Sequence, residues 1–205
     1  MKKAKSKHYF DTSYDSKQRL CSYWHQIHEI IRLAPKRVVE IGVGNGFVAG
    51  YLRERGVDVV TLDIDGTLNP DVVGNVLDLP FSDKSSDVVA CCEVLEHLPY
   101  RDVDKALCEI LRVCRSYAIL SLPETSKAYR FSLQIPKIGE IKLLIPVPSI
   151  RRQIHRFDGA HYWEIGKSEY SLNRIVKDIS KVGFTIESTY RVFEYPYHRF
   201  FILSA

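Results

Sequence analysis

Apolar positions recur first at helical spacing, then in short unbroken runs, and the alternation of the two predicts an α/β fold. Leu20, Tyr23, Trp24, Ile27, Ile30 and Ile31 share one helical face behind Asp15 or Ser16 as N-cap. This predicts a helix over about 15–33, ended by Pro35. Arg37 to Ile41 reads as a strand that breaks into Gly42, Gly44 and Gly46 before Phe47, Val48, Tyr51 and Leu52 resume helical spacing. Gly56 closes that helix, and 57–62 form a second strand that delivers Asp63 at its tip. Val72-Val73 and 86–92 read as further strands, the latter nearly all apolar, as suits a parallel strand buried on both faces. Asp102 is expected to cap a helix carrying Val103, Ala106, Leu107, Ile110, Leu111 and Cys114 inward, followed by a strand at 117–122. Prolines break the rhythm between 123 and 166. A helix at about 168–182 follows, with Ile175, Val176, Ile179 and Val182 inward, and then alternating runs at 184–192 and 199–203. The predicted architecture is a Rossmann-like, seven-stranded, mostly parallel sheet with an antiparallel C-terminal hairpin and helices on both faces. It forms one domain over 1–205, with 1–34 as an N-terminal helical cap and 124–166 as a substrate-side insertion.

Composition narrows the class. Over 205 residues the chain is 45% hydrophobic and 26% charged, which excludes disordered and fibrous proteins. The formal net charge of +4 falls well short of the dense basic stripes of a dedicated nucleic-acid binder. Cysteines at 21, 91, 92, 108 and 114 form no CxxC pair and read as reduced core residues of a cytoplasmic protein. The basic opening has no apolar stretch behind it, so neither a signal peptide nor an anchor is expected.

Ligands of parallel α/β sheets sit at the carboxyl ends of the strands, which makes those ends the places to search. The first carries Glu40-Ile41-Gly42-Val43-Gly44-Asn45-Gly46-Phe47, where glycines let backbone approach a ligand closely. Phe47 stands where a dinucleotide fingerprint asks for Gly or Ala, and no Gly-Lys-Ser or Gly-Lys-Thr follows, which disfavours a pyrophosphate and excludes a Walker loop. With Asp63, Gly74 to Phe81, and Cys92-Glu93-Val94-Leu95-Glu96-His97-Leu98, the segment 36–122 resembles the class I S-adenosylmethionine-dependent methyltransferases, in the broad branch that includes ubiquinone-biosynthesis-like enzymes. The resemblance implies S-adenosylmethionine as cofactor. It implies that Glu40, Gly42, Gly44, Asn45 and Gly46 bend around its carboxypropyl and ribose parts. Asp63, with Ile64 beside it, would accept from the ribose hydroxyls, Asn75, Val76 and Leu77 would lie along the adenine, and Glu93 would contact the cofactor from the end of strand four. Asn75 replaces the family's usual Asp, and Asp78 is an alternative acceptor.

A sulfonium methyl is already activated, so few catalytic side chains are required. His97 is the candidate general base for a hydroxyl acceptor, with an adenine-wall or helix-capping role as the alternative. Glu93 and Glu96 read either as acceptor-binding groups or as surface charges. By the same resemblance Tyr14, Arg19 and Trp24 are expected to close over the methionine end, with core packing as the alternative for Trp24. His161, Tyr162, Trp163 and Glu164 are expected to line the acceptor pocket. His155, Asp158 and His161 have a metal-like spacing, but Gly159 argues against a helix that would put them on one face, and no metal is expected. The insertion holds seven basic against four acidic residues with many aliphatics. That suits a lid over an anionic or amphipathic acceptor, an edge that contacts a membrane or lipid-linked substrate, or a solvated subdomain with its own small core. The function expected is methyl transfer to an O or N of a small acceptor, sugar- or lipid-linked among the options. The rivals are a noncatalytic nucleotide-binding or interaction protein on the same fold and an RNA methyltransferase.

Overall fold

The computed structural model describes residues 14, 16–148 and 153–205. Its order is α1 (Lys17–Arg32), β1 (Arg37–Ile41), α2 (Phe47–Glu54), β2 (Asp58–Asp63), β3 (Val72–Val73), β4 (Ser86–Cys92), α3 (Val103–Val113), β5 (Cys114–Pro123), β6 (Ala128–Ile135), β7 (Gly139–Pro146), α4 (Leu172–Val182), β8 (Thr185–Arg191) and β9 (His198–Ser204). Seven strands form one sheet in the order β3-β2-β1-β4-β5-β9-β8. β1 to β5 run parallel, while β9 is antiparallel to both β5 and β8. The Rossmann-like sheet with an antiparallel hairpin is therefore the observed fold.

Alternation along each strand builds the three layers. Val39, Ile41, Val89, Cys91, Leu120 and Phe201 point to the face covered by α3 and α4, where Leu107, Ile110, Ile175 and Ile179 meet them. Their neighbours Val38, Val88, Ala90, Ile119, Phe200 and Ile202 point to the opposite face, covered by Ile27 and Ile30 of α1 and Val48 and Leu52 of α2. Among the described residues, no helix is long and apolar enough to cross a membrane.

Several local expectations change. Ser16 is the N-cap of α1, its hydroxyl accepting from the Arg19 amide at 3.3 Å, while Asp15 lies outside the described residues. Asp102 makes no side-chain cap, because a turn of 3₁₀ helix at Tyr100–Asp102 runs straight into α3. Cys114 opens β5 rather than closing α3, and α4 starts at Leu172 behind Ser171, whose hydroxyl accepts from Arg174 N–H. Cys108 lies on the exposed face of α3, so not every cysteine is a core residue. Trp24 is 57% exposed, stacked on His28, and neither packs in the core nor covers the cavity.

The insertion contains a two-stranded sheet of its own, β6 paired antiparallel with β7. Its register places Tyr129 opposite Ile145, Phe131 opposite Leu143 and Leu133 opposite Ile141, all on one face and all exposed. The other face is more polar and is tied to the β8–β9 connection. Lys142 Nζ lies 2.7 Å from Glu194 Oε1, and Arg130 donates to the Glu194 carbonyl at 3.0 Å.

Candidate functional site

The order of the sheet reverses at β1, which pairs β2 on one side and β4 on the other. In open α/β sheets this switch point leaves a crevice outside the strand ends. A cavity of about 490 Å³ opens there, inside the usual ~300–1,000 Å³ range of small-molecule sites. Glu40, Gly42, Gly44, Asn45, Asp63, Ile64, Asn75, Val76, Glu93 and His97 all line it. Gly46 and Leu77 do not line it. Gly46 instead forms the left-handed cap of α2 at φ 73°, and Leu77 donates its N–H to Asn75 Oδ1 at 3.0 Å. That bond engages the Asn75 carbonyl locally, while Asp78 pairs with Asn75 through the backbone and also lies off the cavity.

Between β1 and α2 the chain turns with Gly42 at φ +86° and Gly44 at φ +55°. A Cβ on Gly42 would overlap Val94 Cγ2, so only glycine fits. Asp63 secures the turn: Oδ2 accepts from Val43 N–H at 3.1 Å and Oδ1 from Asp65 N–H at 2.9 Å. Burial raises its pKa, and these backbone donors oppose the rise. Each carboxylate oxygen keeps a lone pair for a further donor. Glu40 is more deeply buried. Burial pushes its carboxyl up to about 8, against the Arg53 charge and the Ala49 N–H, and its Oε2 has no partner among the described residues.

Glu93 follows β4 with φ +54°, a left-handed conformation uncommon for a residue with a side chain. Its Oε1 accepts from Ser121 Oγ at 2.8 Å, and its Oε2 lies 3.4 Å from His198 Nε2. The other nitrogen of His198 bonds Ser22 Oγ of α1 at 2.6 Å. Burial lowers the His198 pKa to about 3, with the Arg19 charge adding to the effect. His198, Tyr14 and Arg19 all line the cavity, and an Arg19 N–H donates to the Tyr14 hydroxyl at 3.1 Å.

The next turn carries Leu95–His97. His97 Nδ1 lies 3.0 Å from the Ala160 carbonyl, so Nδ1 carries the proton and Nε2 keeps its lone pair. Burial lowers the pKa of His97, which favours the neutral ring. Glu96 is fully buried, lines the cavity, and has no hydrogen-bond partner for either carboxylate oxygen among the described residues. Between the two roles its sequence position leaves open, an acceptor-binding group or a surface charge, its burial removes the second. From the insertion, His161 and Tyr162 line the cavity. Trp163 is instead core, 0% exposed and edge-on to Tyr100. Glu164 also lies off the cavity: it accepts from His161 Nδ1 at 3.1 Å and from the Tyr197 hydroxyl. Burial works against a charged His161, but Glu164 outweighs it and raises the pKa. His155 is occupied with the His161 carbonyl at 2.9 Å.

One end of the cavity is thus a glycine bend with two carboxylates, Glu40 and Asp63. The other is a polar floor of Glu93, Glu96, His97 and His161. The donor set suits S-adenosylmethionine: acidic acceptors for its ammonium and ribose hydroxyls, bare main chain at the bend, and apolar walls at Ile64 and Val76.

Residues 39–122 match the methyltransferase domain family. A probable S-adenosylmethionine-dependent methyltransferase of Mycolicibacterium smegmatis is 32% identical over 110 residues, 46% of this chain and 42% of that protein. The chain therefore spans less than half the length of that relative. A methyltransferase structure from Clostridium acetobutylicum superimposes with a TM-score of 0.65 at 9% identity, covering 98% of this chain and 99% of the other. The 1,6-didemethyltoxoflavin-N1-methyltransferase of Burkholderia thailandensis, solved with S-adenosylhomocysteine, gives 0.60 at 15% identity, covering 95% and 80%. The chain thus carries a methyltransferase-domain match over β1 to β5, and its fold is the one seen in S-adenosylmethionine-dependent methyltransferase structures.

Proposed function

We propose that the protein binds S-adenosylmethionine in the β1–β4 crevice and transfers its methyl group to an oxygen or nitrogen of a small acceptor held over His97 and His161. The observation that carries this reading is the joint placement of the Gly42–Gly44 bend, Asp63 and the free Nε2 of His97 around one cavity. Glu40 and Asp63 bind the charged and hydroxylated parts of the cofactor. His97, neutral by burial, activates the acceptor from Nε2. The methyl carbon passes from sulfur to the acceptor, the C–S electron pair stays on sulfur, and the acceptor proton leaves through the Nε2 side. The Burkholderia neighbour acts on 1,6-didemethyltoxoflavin, and the volume here suits an acceptor of small-molecule size.

The exposed apolar face of β6–β7 favours an acceptor delivered at a lipid surface. Tyr129, Phe131, Leu133, Ile141, Leu143 and Ile145 present it, Ile138 stands at the hairpin turn, and Lys127 and Lys137 flank it. The test of the core reading is ligand-induced stabilisation. S-adenosylhomocysteine at 100 times its dissociation constant should stabilise the protein by about 2.7 kcal/mol. A melting curve unmoved by saturating ligand would overturn the reading. Stabilisation without methyl transfer to any hydroxyl or amine acceptor would favour a noncatalytic binding protein.

A further inference from the structure

We infer that Glu96, His97 and His161 form a binding site for a divalent transition-metal ion at the acceptor end of the cavity. The side-chain ligand atoms of these three residues lie within 4.8 Å of one another, and all three residues line the cavity. Ligands at ~2.0–2.1 Å in a tetrahedral shell stand about 3.4 Å apart, so closing around an ion asks for shifts on the order of 1 Å.

Two independent features point to a ligand here. The first is Glu96: a fully buried carboxylate with neither oxygen partnered is costly unless a cation or a proton completes it. The second is the orientation of both imidazoles. Metal-bound histidines donate their other ring N–H to a carbonyl or carboxylate, which fixes the tautomer and aims the free nitrogen at the metal. His97 does this through Nδ1 to the Ala160 carbonyl at 3.0 Å, and His161 through Nδ1 to Glu164 Oε1 at 3.1 Å. Glu164 is held in turn by the Tyr197 hydroxyl. Among the described residues neither Nε2 has a hydrogen-bond partner, which leaves both to coordinate. The neighbouring trio of Asp158, His161 and Glu164 also clusters, but Asp158 Oδ1 is already engaged by the Ala160 and His161 amides.

Two imidazoles and one carboxylate suit Zn²⁺, Fe²⁺ or Co²⁺ better than Mg²⁺ or Ca²⁺, which prefer all-oxygen shells. Three protein ligands leave a coordination position open to the cavity. The inference rests on the methyltransferase reading for its purpose, and it narrows the acceptor. A neutral amine has one lone pair, which the ion would occupy, whereas a metal-bound hydroxyl that has lost its proton keeps lone pairs for the sulfonium methyl. The acceptor class is therefore a hydroxyl compound. A bound ion would lower the hydroxyl pKa; the proton would depart to solvent, the C–O bond would form as the C–S bond breaks, and His97 would act as a ligand in place of direct proton acceptance.

The test uses metal-stripped full-length protein titrated with Co²⁺ and with Zn²⁺, alongside S-adenosylhomocysteine binding by calorimetry. Wild type should show visible ligand-field absorption saturating at one Co²⁺ per chain and abolished by Zn²⁺. Glu96→Gln, which keeps the side-chain volume, should lose at least about 100-fold in Co²⁺ affinity. Glu164→Gln should lose about 10–100-fold, the usual effect of removing a group that orients a ligand. Both variants should retain wild-type S-adenosylhomocysteine affinity, which reports their folding. Wild-type protein that binds S-adenosylhomocysteine but neither metal overturns the metal site and leaves the methyltransferase reading standing. Undiminished Co²⁺ binding by Glu96→Gln overturns the ligand assignment. Metal binding without S-adenosylhomocysteine binding supports the site and overturns the methyltransferase reading instead.

Discussion

The main-chain N–H of Val43 donates to Oδ2 of Asp63 at 3.1 Å, so the acid at the end of β2 holds the glycine turn that follows β1. One carboxylate both shapes the bend and offers its remaining lone pairs to the cavity. Asp63→Ala should therefore weaken S-adenosylhomocysteine binding by more than one lost ligand contact, at least about 100-fold if two charge-assisted hydrogen bonds of ~1.5–3 kcal/mol each disappear. Gly42→Ala should do similar damage, since its Cβ overlaps Val94 and its φ is positive. Calorimetric titration of both variants checks this, and wild-type affinity in either would remove the bend from the binding site.

Stability of the ligand-free protein should fall between about pH 6.5 and 8. The carboxyl of Glu40 titrates near 8 when folded and near 4.5 when unfolded. Its protonated folded form is thus favoured at low pH, and that contribution is lost as pH rises toward 8. His198 acts in the opposite sense, being depressed to about 3. Its contribution is complete above the ordinary histidine pKa and is lost only as pH falls from there toward 3. Above 6.5 the Glu40 effect is left unopposed by His198. Thermal melts at stepped pH should show the decline, and Glu40→Gln should make it shallower, the remainder coming from Glu93 and Glu96, which burial raises in the same sense.

Trp163 fills the space beneath the Leu95–His97 turn, donating Nε1–H to the Leu95 carbonyl at 3.2 Å. Trp163→Ala should cost about 3–5 kcal/mol through the cavity it leaves. Trp163→Phe should cost about 1–3 kcal/mol, since it strands a buried carbonyl. Denaturant unfolding measures both.

If the β6–β7 face meets a bilayer, the protein should sediment with anionic phospholipid vesicles. Phe131→Gln with Leu143→Thr, a directly opposed cross-strand pair, should reduce that partitioning about tenfold or more while leaving S-adenosylhomocysteine affinity unchanged. Equal sedimentation of variant and wild type would exclude the face.

Sequence patterning reached the sheet and the strand-tip residues that line one end of the cavity, because each rests on short-range spacing. Glycines at 42 and 44 and an acid at the tip of β2 sit where a βαβ unit must put them. The His97–His161 end was harder to read, because it joins residues 63 apart in the chain, His97 and Ala160, and no periodicity reports that Glu96 is buried without a partner among the described residues. The β6–β7 hairpin did leave a signal: Tyr129, Phe131 and Leu133, then Ile141, Leu143 and Ile145, alternate around Pro136 and Gly139. The surrounding prolines and the doublet Leu143-Leu144 masked it. Asp102 looked like a cap by residue type, but a preceding 3₁₀ turn had already fixed its backbone in a helical conformation.

β9 lies between β5 and β8 in the sheet, although it follows both in the chain. During synthesis, β8 emerges from the ribosome before the strand that joins it to the rest of the molecule. The sheet then has a vacancy of one strand's width that nothing made earlier can fill. Until 198–204 arrive, Phe200 and Phe201 are missing from the two faces they complete, and the nascent domain is exposed to chaperones and proteases with both hydrophobic layers unsealed.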